Sequence, residues 1–278
     1  MRSLKSLMLA GAAGIVTVST ASAADLPPIL YKAPPMQVEE FGGWYLRGDI
    51  GFSNQRVGGL FNAIYNDPGV SVRNEFKGFD GAPLIAIGLG YQFNNWLRAD
   101  ITGEYRARAN FRGADVATWA TGAMADDYYA AKSEWVFMAN AYVDLGTWWC
   151  LTPFLGAGFG MAYNTIHDFK DVGIGIDGGV PINSVAFGAT TSKWNFAWAL
   201  HAGVAYKVNP GFTVELAYRY MNLGDAQSGD LITYLGGNAR DNPMHFNDIT
   251  SHDWKLGVRW YLQEPASLAP PPPLVRKG

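Results

Sequence analysis

Charged residues recur at even spacing along this sequence: Arg47 with Asp49, Arg98 with Asp100, Glu104 with Arg106, Glu134, Glu215 with Arg219, and Lys255 with Arg259. Residues two apart on a β-strand project to the same face, so each group reads as charge gathered on one side of a sheet. If that face lines a narrow interior, the charges must pair, because an unpaired one there costs about several kcal/mol. The outcome is a salt-bridged plug that pins strand register. The alternative chemistry for the same residues is a narrow path for ions.

Other groupings are weaker. His167-Asp168 and His252-Asp253, with His245 nearby, are candidate metal ligands. Zinc sites want three or four convergent ligands at short spacing, so solvated polar loop groups are the simpler reading. Gly156-x-Gly158-x-Gly160 mimics part of a nucleotide fingerprint, but no helical pattern follows it. Small residues on the inner face of a strand account for it better. His201 has Gly203, not Ser, at the second following position, and no nucleophile pair stands out. Cys150 is the one cysteine, which excludes an internal disulfide, and beside Trp148-Trp149 it reads as an inert thiol. No catalytic set, metal or cofactor is expected, and a formal net charge of −3 argues against a nucleic-acid partner.

The elements that must carry the charged face are amphipathic strands. In 253–262, Trp254, Leu256, Val258, Trp260 and Leu262 point one way, while Asp253, Lys255, Gly257, Arg259 and Tyr261 point the other. The same alternation predicts strands at 43–53, 84–93, 96–106, 134–145, 152–163, 194–207 and 212–221. Polar segments reaching Ala82 and Lys132, and those at 164–193 and 222–252, read as long loops. Asn94-Asn95, 146–151 and Asn209-Pro210-Gly211 read as short turns. Connections therefore alternate long and short around eight strands. An eight-stranded interior is only wide enough for side chains and cannot take the large aromatic face. That face is expected to meet lipid and the charged face to fill the lumen.

Composition agrees. Charged residues are 16% of the chain, against about 25% in ordinary soluble domains. Aromatics are 14%, there are 33 glycines, and no apolar run of about 20 residues follows the amino terminus. The first 23 residues read as a secretory signal: Arg2 and Lys5, then an apolar stretch from Leu7 to Val18, then Ala21-Ser22-Ala23. Cleavage between Ala23 and Ala24 is expected. Residues 24–42 form a proline-rich linker, 43–262 the barrel, and 263–278 a second proline-rich tail.

Signal segment, Ala24-Asp25 start, proline linker, eight strands and a closing aromatic strand together resemble the small porin-like outer-membrane barrels of alphaproteobacteria, of the rhizobial and Brucella type. The resemblance implies an all-β fold: an eight-stranded antiparallel transmembrane barrel with long extracellular loops, short periplasmic turns and both termini periplasmic. Lys255, Gly257, Trp260 and Leu262 resemble the terminal signal shown to the barrel assembly machinery. Ala24 with Asp25 resembles the pair through which such proteins are joined to peptidoglycan. Outer-membrane lipid and lipopolysaccharide are the expected surroundings. The role implied is structural, contributing to envelope integrity. A narrow channel for ions or small solutes is the main alternative, then a barrel enzyme acting on lipid A, then a soluble ligand-binding barrel.

Overall fold

A computed structural model describes residues 43–238 and 240–262. Its strands are β1 (Gly43–Phe61), β2 (Ser71–Phe79), β3 (Ala82–Gln92), β4 (Leu97–Trp119), β5 (Gly122–Asp144), β6 (Leu151–Asp177), β7 (Val180–Gly188), β8 (Thr191–Asn209), β9 (Phe212–Gln227), β10 (Leu231–Thr233) and β11 (His245–Tyr261). A short 3-10 turn, Ala63–Asn66, follows β1. β1, β3, β4, β5, β6, β8, β9 and β11 pair antiparallel in that order, and β11 closes the ring on β1. Closure leaves no open edge in this ring, so its backbone groups are paired where lipid offers no partner.

Alternation sets the two faces. Ile50, Ile87, Ile101, Phe159, Leu216 and Leu256 point out, each exposed by about half or more, whereas Arg47, Glu104 and Arg219 point in and are buried. The outward faces form an apolar belt. At its long-connection edge, Tyr105, Trp135, Tyr163 and Trp194 stand directly opposite one another across four strands. Their rings meet pairwise at 4.8 Å and 4.7 Å. Such a row suits the interface between hydrocarbon and water, where an apolar ring body and a polar tip are both satisfied.

The long connections differ from the loops expected. Most of their length is strand. β4 and β5 run on past the belt as one hairpin turning at Ala120-Thr121, and β6 continues to Asp177. β2 adds to the upper part of β4, β7 to the upper part of β6, and β10 to β7. The physical reason is an inversion of polarity. On β4 the inward residues change from Arg98, Asp100, Glu104 and Arg106 to Ala109 and Phe111, while the outward ones change from Ile101 and Tyr105 to Arg108, Asn110 and Arg112. Above the belt the outside meets water, so the polar residues of a strand move outward and the apolar ones inward. Bulges mark the change: the β4–β5 register shifts between Arg106 and Ala109, and the β5–β6 register between Tyr129 and Ala131. Asp168 and Asp248 absorb left-handed backbone at φ 50° and 53° there, a conformation Asp tolerates better than most residues.

The opposite end has tight turns. Trp148 and Leu151 exchange backbone hydrogen bonds of 2.9 Å around Trp149 and Cys150, whose φ values of 50° and 66° are both left-handed. This is the twist-matched two-residue hairpin geometry, made here without glycine. Both residues are exposed.

Candidate functional site

The barrel interior gathers the charged residues picked out by their spacing. Arg47, Asp49, Arg98, Asp100, Glu104, Arg106, Glu134, Glu215, Arg219, Lys255 and Arg259 are all buried in the lumen. Near the short-turn end, Arg98 contacts Asp144 and Glu215, each at 3.2 Å. Its guanidinium lies over the rings of Tyr142 and Phe154 at 4.1 and 4.6 Å. Arg259 Nε approaches Glu215 at 2.7 Å. One step higher, Arg47 reaches Asp49 at 2.8 Å, Asp100 at 3.1 Å and Glu215 at 3.4 Å. Lys255 bridges Asp49 at 3.2 Å and Glu104 at 3.5 Å.

Above these lies the densest knot. Arg106 approaches Glu104 and Asp253, each at 2.8 Å, and donates to Ser53 and Ser251. Arg219 approaches the same two carboxylates at 2.6 and 2.7 Å. Highest in the column, Lys132 pairs with Glu134, and Gln55 accepts from Lys132 at 2.9 Å and donates to Glu134 at 2.7 Å. Arg98 therefore does not face Asp100, its neighbour in spacing; Asp100 takes Arg47 and the amide of Asn140. The column contains Arg47, Arg98, Arg106, Lys132, Arg219, Lys255 and Arg259 against Asp49, Asp100, Glu104, Glu134, Asp144, Glu215 and Asp253, so its formal charges cancel. Arginine dominates because its planar fork serves two or three carboxylates at once in a dry setting.

The charge set read from spacing leaves out Lys132, Asp144 and Asp253, although Asp253 falls on the charged face of 253–262. The available signal was parity: Lys132 is two before Glu134, and Asp253 two before Lys255. Asp253 is not a solvated loop residue; it is fully buried between Arg106 and Arg219. Of the terminal-motif residues, Lys255 and Gly257 face inward, while Trp260 and Leu262 face out, 65% and 54% exposed. A Cβ at Gly257 would collide with the Asp49 carboxylate, so glycine there makes room for the network. Ala23, Ala24 and Asp25 lie outside the described residues.

A second, apolar layer fills the interior above the column. Phe111, Phe246 and Phe169 are fully buried, with Phe111 and Phe246 ring centres 4.9 Å apart and Phe169 and Phe246 6.0 Å apart. Val57, Leu60, Ile166 and Met221 pack in the same cluster. Over it sits an acidic group. Asp115 accepts from Tyr128 at 2.8 Å and also from Tyr65 of the 3-10 turn. Asp126 and Asp171 lie near; burial, then Asp126 and Asp115, raises Asp171 to about 8, and burial, then Asp115 and Asp127, raises Asp126 to about 6.

The histidines do not converge. His252 points outward and contacts the Tyr218 hydroxyl at 2.6 Å, on the face opposite Asp253. His167 Nε2 lies 2.8 Å from Ser133 Oγ, just above the aromatic row. Arg108, which can only donate, stands 3.5 Å from His167 Nδ1. A guanidinium thus stands at Nδ1, where a base that activates serine has an orienting carboxylate. Among the described residues, no group of three or more His, Cys, Asp or Glu is arranged to hold a metal ion.

A closed antiparallel ring with an apolar outer belt and a polar, paired interior defines a transmembrane β-barrel. Residues 10–261 match the model of the outer membrane protein beta-barrel domain, and the chain belongs to that family. An uncharacterized protein of Brucella abortus (strain 2308) is 32% identical over 271 residues, spanning 88% of this chain and 94% of its own. A putative adhesin of Rickettsia prowazekii is 27% identical over 249 residues, spanning 88% and 98%. Among solved structures, Neisserial surface protein A aligns with a TM-score of 0.43 at 16% identity, over 79% of this chain and 97% of that one. The protein is thus an outer-membrane barrel with relatives in Brucella and Rickettsia.

Proposed function

We propose that this protein is a closed structural barrel of the outer membrane, contributing to envelope integrity and presenting its strand extension to the outside, with both termini in the periplasm. One observation carries the reading: the interior is filled twice, first by a charge-balanced salt-bridge column and then by an aromatic core. A wide ion path would leave charges solvated and separated, whereas these are dry and within contact distance. The Ser133–His167 pair does not favour hydrolysis of lipid A, because a guanidinium and not a carboxylate stands behind the histidine. Attachment to peptidoglycan through Ala24, with Asp25 following, completes the reading.

The test is electrical and cellular. Pure protein in planar bilayers should give no discrete open-channel steps, and a deletion strain should leak periplasmic protein and become sensitive to detergent. Replacing Arg98 and Arg106 with Ala should open a leak through the lumen. Steady large conductance of the unaltered protein would favour the channel instead.

A second reading, attachment to other surfaces, has one observation behind it. The extension carries Ile174, Val180, Tyr234 and Leu235 on its outside, exposed by 67%, 62%, 79% and 96%. Large exposed apolar groups beyond the belt suit a contact surface, and a relative bears the name putative adhesin. Loss of cell binding on replacing Tyr234 and Leu235 with Ser would support it.

A further inference from the structure

The outer wall of the barrel is not evenly covered. Ala99, Ala141 and Ala157 stand opposite one another on β4, β5 and β6, all pointing outward within the belt. Two positions above, Ile101 and Phe159 stand on either side of a fourth alanine, Ala139; two positions below run Leu97, Val143 and Leu155. The alanines, with Ile101 and Phe159 on one side and Trp44, Leu89 and Tyr91 at the β1–β3 end, line a cavity of about 630 Å³ on the lipid side of the wall, within the range of about 300–1,000 Å³ in which small ligands are bound. Asp100 and Asn140, whose backbone borders it, turn their side chains inward and hydrogen-bond each other at 2.8 Å in the lumen. The floor is therefore backbone and methyl groups.

Three features of this trough choose its occupant. The first is width. Rows two residues distant on each side of the alanines lie roughly 13 Å apart at the backbone, at a rise of about 3.3 Å per residue. The large side chains of those rows take up part of that distance, and even with the opening at Ala139 the remaining floor admits one hydrocarbon chain but not a helix of about 10–12 Å. The second is shape. A symmetric pair of copies would set this patch against itself, and two troughs face to face enclose a void instead of filling it. The third is direction. The alanine row continues through Tyr91 to Trp44 at the short-turn end and through Leu200 to Tyr220 at the other. Because barrel strands tilt by about 35–45°, this row climbs diagonally across the belt. Trp44 and Tyr91 meet edge to face at 5.2 Å, an aromatic pair placed where glycerol and ester groups lie.

We propose that the trough is a binding site for one acyl chain of a glycerophospholipid, which enters beside Trp44 and Tyr91 from the leaflet on the short-turn side. The chain gains contacts with a concave floor that fluid neighbours on the convex wall lack. The site rests on membership of the outer-membrane barrel family and not on which end of the barrel faces outward.

Photolabelling tests it. Mature protein is reconstituted with phosphatidylethanolamine carrying a diazirine either at mid-chain or next to the glycerol, and labelled peptides are mapped by mass spectrometry. The mid-chain probe should concentrate on β4–β6 around Ala141 and Ala157, and the glycerol-proximal probe around Trp44 and Tyr91. The double variant Ala141→Leu, Ala157→Leu should lose the mid-chain enrichment, while Val214→Leu on the far wall should keep it. Should the double variant fail to assemble, the two maps of the unaltered protein still decide. Even labelling around the belt would overturn the proposal. So would crosslinks joining two copies through this face, or glycerol-proximal labelling at Tyr220.

Discussion

Arg106 and Asp253 meet at 2.8 Å across the lumen, although β3 and β1 separate their strands in the wall. The same carboxylate receives Arg219 from β9 at 2.7 Å, so one aspartate ties β4, β9 and β11 together. Asp253→Asn should destabilise the folded barrel by about 3–5 kcal/mol, since it leaves two buried guanidinium groups short of a partner. Urea unfolding in lipid vesicles measures this. Adding Arg219→Met should recover part of the loss, because an apolar group replaces a charge left unpaired. An equal loss in both variants would mean that the column is not coupled.

Parity made the lumen legible in the chain. Within the belt, the inward and outward residues of 96–106 or 253–262 differ so sharply in chemistry that one reading of period two separates them. The extension obeys the same period but is hidden in the sequence, because its polar outer residues look like those of a loop. Phe111, Tyr128, Phe169 and Phe246 are the inward residues of strands whose outer faces are polar, and each lies in a stretch with little apolar contrast. Lys132 was lost for the same reason, at the point where the inner face turns from charged to apolar. Partner choice inside the column could not be read at all. Arg98 passes over Asp100 on its own strand for Glu215 on β9, and only closure of the ring brings that residue near.

The acidic group over the aromatic core should make the extension sensitive to pH. Burial, then Asp126 and Asp115, raises Asp171 to about 8, against about 3.9 for an unfolded aspartate. The folded extension therefore holds a proton that the unfolded chain has released. Its contribution is fully present below about pH 4 and is lost as pH rises through about 8. Asp126, raised to about 6, adds in the same direction over the lower part of that window. Protease cutting within the β4–β7 extension should increase from pH 5 to pH 9, and Asp171→Asn should flatten the dependence. A cutting rate that falls as pH rises would contradict this.

The outer face should reject charge. Leu256 points outward on β11 between Ile50 of β1 and Leu216 of β9, both also apolar and outward. Leu256→Arg should destabilise by about 2–4 kcal/mol if the residue sits at the bilayer midplane. Thr213→Arg is no substitute, since Thr213 faces the lumen. Folding yield into vesicles and the urea midpoint both report the effect. A variant that assembles with an unchanged midpoint would place Leu256 outside the hydrocarbon.

The proposed hold on the cell wall is the last expectation, and it concerns residues before the first described strand. Cleavage after Ala23 would free the Ala24 amine with Asp25 beside it, and transpeptidation would exchange a peptide bond of a peptidoglycan stem for an amide to that amine, releasing the stem's terminal residue with a free amino group. The following stretch contains Pro27, Pro28, Pro34 and Pro35. Proline-rich chain extends by about 3 Å per residue, the kind of reach that an attachment through Ala24 requires. Muramidase digestion of purified sacculi should therefore release Ala24 peptides carrying a muropeptide remnant. Asp25→Ala should reduce that yield if the acidic residue guides the reaction, while leaving barrel assembly intact by heat-modifiable migration. Recovery of free Ala24 amino termini alone would remove the covalent bond from the proposal and leave the filled barrel as a structural element of the membrane only.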